Sequence, residues 1–188
     1  MGSVCGIRVS TRRSAAFESS NAMKLLIIRH AIAAEREDFS GPNDDLRPLT
    51  DEGREKMKRN VAGLRVLLPQ IDTLATSPLL RAQQTAEIVA HAYAIDKTAV
   101  TDALVPEEPY AKLERWLAKH AEERVVAVVG HEPHLSGLAT WLVTGANESG
   151  IALKKGGACL IDFARRAKSG EGTLEWLLTP RILGRIGS

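Results

Sequence analysis

Residues 24–30 read KLLIIRH, a short apolar run that ends abruptly at Arg29 and His30. The run predicts a buried strand that delivers polar side chains at its carboxyl end. Ligands of open parallel sheets bind in the crevice outside the carboxyl ends of the strands. This strand therefore gives both the first element of the sheet and the first candidate for a binding site.

The same pattern recurs twice further along the chain. The apolar run at 71–75 stops at a polar turn that contains Ser77 and leads to Arg81. The run at 125–129 is apolar without alternation, which is typical of a strand covered on both faces, and it stops before His131. Because all three strands end in polar groups, we expect these groups to meet in one site.

Helical patterns separate the strands. Thr50 is a capping hydroxyl for a helix that runs to Pro69. Further helices are predicted at 79–93, 110–121 and 135–143. Closing strands are predicted at 158–163 and 173–178 with a turn at 168–172 between them, a surface loop at 35–48 and an irregular segment at 99–109. Strands that alternate with helices predict an α/β fold, three layers α/β/α around a mostly parallel sheet. Because no linker or repeat divides them, residues 23–188 are predicted to form a single domain.

Residues 1–22 are interpreted separately. They hold three arginines and one glutamate, are rich in serine, and lack the apolar stretch of a secretory signal. We interpret them as a disordered, non-catalytic extension ahead of Met23. An organellar transit peptide, an upstream extension and a cloning remnant all fit this composition.

Composition excludes several classes of function. Residues 23–188 carry 22 basic and 22 acidic side chains, so this part shows no electrostatic footprint for nucleic acid. Aromatic residues make up only 4% of the chain, and no apolar run approaches the ~20 residues of a membrane span. Cys5 and Cys159 form no C-x-x-C pair, which fits a reducing compartment and predicts a cytoplasmic protein.

The residue types at the strand ends suit a phosphoryl group. Arg29 and Arg81, joined by Arg47 from the loop, carry planar forks of donors that match phosphate oxygens. His30 and His131 are able to attack, donate or accept near neutral pH. Three guanidiniums and two imidazoles together predict a pocket for a dianionic phosphoryl group.

Mechanism follows from this set of residues. Neutral His30 would attack phosphorus to give a covalent phosphohistidine that water hydrolyses, while the arginines and His131 stabilise the transition state. The arginines supply the charge that other enzymes take from Mg²⁺, so we predict no metal and no cofactor. His131 and His134 lie three apart across a proline, unlike the four-apart pair that binds zinc.

These motifs resemble the histidine phosphatase (phosphoglycerate mutase-like) superfamily, and within it the SixA-type phosphohistidine phosphatases. The resemblance covers about residues 23–180 and is carried by LLIIRH at 25–30, RPLT at 47–50, SPLLRAQQTA at 77–86 and GHEP at 130–133. It implies a phosphoglycerate mutase-like fold. It also implies that His30 is the nucleophile, that Arg29, Arg47 and Arg81 bind phosphate, and that His131 completes the pocket.

Two positions depart from the pattern of the superfamily. Ala31 stands where glycine usually follows the Arg-His pair, and we expect the turn to survive if the φ of Ala31 is negative. Larger relatives carry an acidic proton donor in the segment that corresponds to 104–106. Here Pro106 occupies that segment, and Glu107 or Glu108 is the possible donor unless both are part of a solvated loop.

A missing general acid bears on the substrate. An alkoxide needs protonation as it leaves, whereas the imidazole of a phosphoramidate leaves more easily. We therefore predict a phosphohistidine phosphatase of signal transduction that acts on a histidine-phosphotransfer domain or a phosphocarrier protein, with no nucleic-acid or membrane partner. The alternatives are a broad small-molecule phosphomonoesterase of the same superfamily and a non-catalytic phosphoprotein-binding module.

Two charged pairs have open interpretations. Asp44 and Asp45 either orient Arg47 or form a solvated turn. Lys154 and Lys155 are either a solvated turn or a docking contact for an acidic partner protein.

Overall fold

The computed structural model describes residues 22–188. Its strands and helices, in chain order, are β1 (Met23–Arg29), α1 (Asp51–Leu67), β2 (Thr73–Thr76), α2 (Leu80–Tyr93), β3 (Ala99–Val100), α3 (Tyr110–Ala118), β4 (Val125–Gly130), α4 (His134–Thr144), β5 (Ala158–Phe163), β6 (Thr173–Leu178) and α5 (Pro180–Ile186). Short 3-10 turns occupy Asp44–Leu46 and Asp102–Leu104. The predicted extension at 1–22 lies, apart from Ala22, outside the described residues, so that part of the domain division stays a prediction.

The sheet has six strands in the order β3-β2-β4-β1-β5-β6. The pairs β1–β4, β2–β4 and β2–β3 are parallel, whereas β5 is antiparallel to β1 and β6 is antiparallel to β5. The predicted mostly parallel sheet is therefore confirmed, with the antiparallel pairings confined to one side.

Successive residues of the central strand supply two separate cores. Leu25 and Ile27 of β1 face one side of the sheet, where α3 and α4 pack. Leu26 and Ile28 face the other side, against α1, α2 and α5. This division follows from the alternation of side chains along a strand. It confirms the three-layer α/β/α architecture.

The structure differs from the prediction mainly in short elements. β3 has two residues, too few to show a pattern in sequence, and α5 buries only one hydrophobic side chain fully, Leu183. α3 ends at Ala118, earlier than predicted, because residues 119–122 form turns. The N-cap of α1 is Thr50, as predicted, and its hydroxyl accepts the backbone N–H of Gly53 at 3.0 Å.

The register of the parallel strands brings their carboxyl ends to one edge. Arg29 pairs with Gly130, and Thr76 pairs with Val129. Beyond the ladders, the backbone N–H of His30 donates to Gly130 O at 3.0 Å, which fixes how the chain leaves β1. The three polar strand ends therefore meet, as the sequence predicts. Among residues 22–188, no helix is long and apolar enough to cross a membrane.

Candidate active site

A cavity of about 730 Å³ opens at the carboxyl ends of β1, β2 and β4. All five residues predicted to form the phosphate pocket line it: Arg29, His30, Arg47, Arg81 and His131. Residues far apart in the chain thus share one cavity because the strands that precede them are neighbours in the sheet.

The His30 ring is buried, with 6% of the residue exposed. Its Nδ1–H donates to the carbonyl of Ala31 at 2.7 Å, and because a carbonyl only accepts, this bond fixes the tautomer. The lone pair of the neutral ring is then on Nε2. Burial lowers the pKa of His30 to about 3. The hydrogen bond to Ala31 O opposes this shift, whereas the charges of Arg81, Arg29 and Lys155 reinforce it. His30 is accordingly neutral at physiological pH.

His131 lies beside His30, with 5.1 Å between the ring centroids. A hydrogen bond of 2.9 Å joins its Nε2 to the hydroxyl of Ser77, at the end of β2. Burial, followed by the charges of His30 and Arg81, lowers the pKa of His131 to about 2. Its Nδ1 is buried and has no hydrogen-bond partner among the described residues.

Arg29 and Arg81 are held by backbone carbonyls. Arg29 donates from Nη1 to Leu153 O at 2.8 Å, and Arg81 donates from Nη1 to Asp44 O at 2.9 Å. Burial lowers the pKa of both guanidiniums. The charge of Glu132 opposes this shift at Arg29, and the charge of Asp44 opposes it at Arg81. Both side chains stay cationic, since arginine does not deprotonate in proteins. In each, the buried Nε has no partner among the described residues.

The carboxylate of Asp44 ties the arginines of the cavity together. Its Oδ1 accepts from Arg47 Nε at 2.9 Å and from Arg36 Nε at 3.2 Å, and its Oδ2 lies 3.3 Å from Arg81 Nη1. Partial burial would raise the pKa of Asp44, but the hydrogen bonds from Arg47 and Arg36 and the charge of Arg81 outweigh it and lower that pKa. The interpretation that Asp44 orients Arg47 is correct, whereas its link to Arg81 was not predicted.

The turn after His30 keeps ordinary backbone geometry. Of the described residues other than glycine, only Ala94 has a positive φ, so Ala31 retains a negative φ as expected. The backbone N–H of Ala31 donates to the Thr85 hydroxyl at 3.0 Å, and that hydroxyl donates to Arg81 O at 2.7 Å. The methyl group at this position is therefore tolerated, and the turn is tied to the helix that carries Arg81.

The two candidate proton donors are placed differently. Glu107 is exposed and lines the cavity, and it forms no ion pair within the described part of the chain. Glu108 does not line the cavity, and its carboxylate pairs with Lys112 of α3 at 2.8 Å. The carbonyl of Glu108 is hydrogen-bonded to His134 Nε2 at 3.0 Å, and His134 does not line the cavity either. Of the two glutamates, the cavity includes Glu107 alone.

Glu132 is a site residue that the sequence prediction omitted. Its Oε1 accepts the backbone N–H of Leu153 at 2.9 Å, and its Oε2 accepts the hydroxyl of Ser136 at 2.6 Å. Because Leu153 O receives Arg29, Glu132 positions the segment that holds this arginine. The feature of the sequence that could have identified Glu132 as a site residue is its position directly after His131. Over residues 22–188, no cluster of three or more His, Cys, Asp or Glu side chains is placed to hold a metal ion.

The chemical character of the cavity follows from these contacts. A neutral imidazole presents one lone pair, a second buried imidazole lies beside it, and three guanidiniums are fixed around them. Such preorganised donors stabilise negative charge that develops on phosphoryl oxygens without reorganising during the reaction. The arrangement suits the transfer of a phosphoryl group to a histidine.

Comparison with known proteins agrees with this chemistry. Residues 25–105 match the family model described as the histidine phosphatase superfamily, branch 1. An uncharacterized protein of Picosynechococcus sp. (strain ATCC 27264 / PCC 7002 / PR-6) is 38% identical over 139 residues, 72% of this chain and 82% of the relative. Phosphohistidine phosphatase SixA of Escherichia coli (strain K12) is 27% identical over 161 residues, 84% of this chain and 94% of SixA.

Solved structures extend the comparison to the fold. The protein histidine phosphatase SixA, complexed with tungstate, superposes with a TM-score of 0.74 at 26% identity, covering 86% of this chain and 99% of that one. Phosphoglycerate mutase from Bacillus anthracis str. Sterne shares the fold with a TM-score of 0.68 at 14% identity, covering 90% and 98%. The chain belongs to the histidine phosphatase superfamily, branch 1, and is a histidine phosphatase of the SixA type.

Proposed function

We propose that the protein is a metal-independent phosphohistidine phosphatase whose nucleophile is Nε2 of His30. The observation that carries the proposal is the hydrogen bond from His30 Nδ1–H to Ala31 O at 2.7 Å. It leaves the lone pair of a neutral, buried ring on the other nitrogen, Nε2, which supports the assignment of this atom as the nucleophile. The E. coli relative SixA, which is 27% identical to this chain, is named a phosphohistidine phosphatase.

The reaction proceeds in two displacements. His30 Nε2 forms a bond to phosphorus as the P–N bond to the imidazole of the substrate breaks, and the departing imidazole takes up a proton from solvent. Water then attacks phosphorus and loses a proton to solvent, the bond to His30 breaks, and inorganic phosphate leaves. Arg29, Arg47 and Arg81 bind the equatorial oxygens in both steps, and His131 Nδ1 contacts one of them.

The guanidiniums provide the positive charge that phosphoryl transfer requires. Arg29, Arg47 and Arg81 line the cavity together with Arg36, and Asp44 neutralises part of their mutual repulsion. Charge stabilisation by fixed arginines removes the need for Mg²⁺ to bridge the oxygens. Metal independence is therefore part of the proposal.

Two acids that contact the arginine-holding segments of the cavity, Asp44 and Glu132, are engaged in a way that favours a phosphoramidate substrate. Asp44 is held as a carboxylate by arginines, and Glu132 already accepts hydrogen bonds on both oxygens. Neither is free to protonate an alkoxide, whereas an imidazole leaves without a strong acid.

We infer that the phosphohistidine is carried by a protein, a histidine-phosphotransfer domain or a phosphocarrier, and we place the reaction in the cytoplasm.

A second candidate function is a broad phosphomonoesterase. The observation that favours it is Glu107, an acid at the cavity that is not tied to any arginine. If Glu107 donates a proton to the leaving oxygen, phosphate esters become substrates as well. Glu108 provides the matched control, because it is adjacent in sequence and lies outside the cavity.

Steady-state turnover on matched substrates tests the proposal. A phosphohistidine peptide, the corresponding phosphoserine peptide and a sugar phosphate are compared with and without a metal chelator. We expect kcat/KM to be about 10²-fold higher for phosphohistidine, the typical contribution of a general acid, and to be unchanged by the chelator. Faster hydrolysis of the esters, lost in Glu107→Gln and kept in Glu108→Gln, would establish the phosphomonoesterase instead. Dependence on added Mg²⁺ would contradict metal independence.

A further inference from the structure

A second cavity of about 390 Å³ lies beside the active site, between α1 and α5. We call it the basic groove, because five cationic side chains line it: Lys56, Arg59, Lys155, Arg181 and Arg185. No Asp or Glu side chain is among the described residues that line it. Lys155 lines both cavities, so the groove continues from the mouth of the active site.

Helical spacing explains why the cations converge. Lys56 and Arg59 are three residues apart on α1, and Arg181 and Arg185 are four apart on α5, so each pair projects from one face of its helix. The two helices are in close contact further along, where the Cα of Gly63 lies against the carbonyl of Leu183. The groove is the widening between them on the side of the active site.

Most of this charge is not neutralised within the described chain. Arg59, Arg181 and Arg185 are exposed, and none is in an ion pair shorter than 4 Å between described residues. Lys56 pairs with Glu52 on its own helix, and Lys155 lies 3.6 Å from Glu35 at the rim. Since residues 23–188 carry equal numbers of basic and acidic side chains, the positive charge is a local feature of this face.

The form of the groove distinguishes between possible anionic ligands. No aromatic residue lines it within the described chain, so it offers no surface for stacking nucleic acid bases. Its cations lie on exposed, flexible side chains rather than on buried, fixed donors, which is unlike a site for a small phosphate. Exposed charges at a rim instead steer a partner protein and set the rate of association. Residues 1–22 are themselves basic and do not complement it.

We propose that the basic groove docks an acidic segment of the substrate protein beside its phosphohistidine. The inference rests on the proposed function, because the phosphohistidine enters the adjoining cavity while neighbouring carboxylates contact Arg59, Arg181 and Arg185. Lys155, shared by the two cavities, lies between the two contacts. Discrimination among phosphohistidine proteins then comes from the charge around the histidine.

A pair of probes separates docking from catalysis. A phosphohistidine peptide flanked by glutamates is compared with one flanked by glutamines, by turnover with the native protein and by binding to the His30→Ala variant. The groove variant is Arg181→Glu/Arg185→Glu. The matched control, Arg165→Glu/Arg166→Glu, makes the same charge change on exposed residues near the end of β5, where Phe163 pairs with Met23 at the opposite edge of the sheet.

We expect the glutamate peptide to bind about tenfold more tightly than the glutamine peptide at low salt, with the preference falling as salt rises. The groove variant should lose this preference, while the control keeps it and both hydrolyse phosphoramidate as the native protein does. Equal affinity for the two peptides, an equal loss in the control, or tighter binding of a duplex RNA would overturn the docking proposal. Charge-dependent binding without turnover of either peptide would instead leave the groove assigned and overturn the proposed function.

Discussion

Two basic regions lie side by side in this protein and differ in how their charges are held. In the cavity, Arg29 is fixed by Leu153 O, and Arg47 and Arg81 are fixed by Asp44. In the basic groove, the arginines of α1 and α5 are exposed and have no ion-pair partner within the described residues. One region has its donors fixed before a ligand arrives, and the other has exposed charge that is unpaired in the described part of the chain.

This difference indicates what each region is able to contribute. Fixed donors stabilise a transition state because they need no reorganisation when charge develops, and their effect appears in kcat. Exposed charges at a surface act on encounter and on KM, and salt screens them. Substitutions in the cavity should therefore slow every substrate, whereas those in the groove should affect only substrates with acidic surroundings.

The largest expected effect comes from removing His30, the proposed nucleophile. His30→Ala should lower kcat by about 10⁴-fold or more, since without the Nε2 lone pair no covalent intermediate forms. Retained binding of the phosphohistidine peptide is expected, because the arginines are unchanged. The measurement is turnover together with an acid-labile phosphoryl label on the protein. His91→Ala, at an exposed position on α2, should keep both.

The same variant tests the idea of a non-catalytic binding module. If the native protein binds the peptide without turnover and His30→Ala binds it equally well, the protein is a binding module and the assignment of a nucleophile is wrong. If the label persists in His30→Ala, another residue accepts the phosphoryl group.

The next effect concerns the fixed geometry of one arginine. Arg81→Lys keeps the charge but removes the planar fork, so we expect kcat to fall by about 10²- to 10³-fold. The loss should be equal for phosphohistidine peptides with acidic and neutral flanks, because the groove is intact. Arg165→Lys, exposed after β5, serves as the control. If Arg81→Lys changed only the KM of the acidic peptide, Arg81 would act on association as the groove arginines do. The cavity and the groove would then not differ in function.

The fold was largely predictable because its strongest signals are local. The run at 24–28 and the run at 125–129 are apolar throughout since both faces of the central strands are buried, and each ends where polar residues begin. The elements that were not predicted depend on tertiary contacts. β3 consists of two residues that pair with β2, and α5 is held by packing against α1 rather than by its own pattern.

The meeting of the polar strand ends was predictable, but the hydrogen bonds around them were not. Strand ends and residue types are enough to group Arg29, His30, Arg81 and His131 in one pocket. The hydrogen bonds of Asp44 to Arg81 and of Glu132 to Leu153 join residues from separate loops, and no spacing in the sequence encodes them. The choice between Glu107 and Glu108 likewise depends on the course of the loop that leads into α3.

The smallest expected effect is a difference in how stability depends on pH. The pKa of His30 and of His131 is lowered to about 3 and about 2 in the folded protein, against about 6.5 when unfolded. Below pH 6.5 the unfolded chain therefore binds more protons, and the free energy of unfolding falls as pH falls towards the folded values, by at most about 1.4 kcal/mol per pH unit for each ring. The groove contributes nothing here, since lysine and arginine do not titrate between pH 5 and 7.

Denaturant unfolding at pH 7 and pH 5 measures this contrast. His30→Gln should lose about 1 to 2 kcal/mol less stability across that interval than the native protein, because one buried imidazole is gone. Arg181→Glu/Arg185→Glu should lose as much as the native protein, since it leaves both rings buried. If the groove variant and His30→Gln changed the dependence of the unfolding free energy on pH by the same amount, that dependence would reflect the overall charge of the protein. The buried state of the imidazoles of His30 and His131 would then not be its cause.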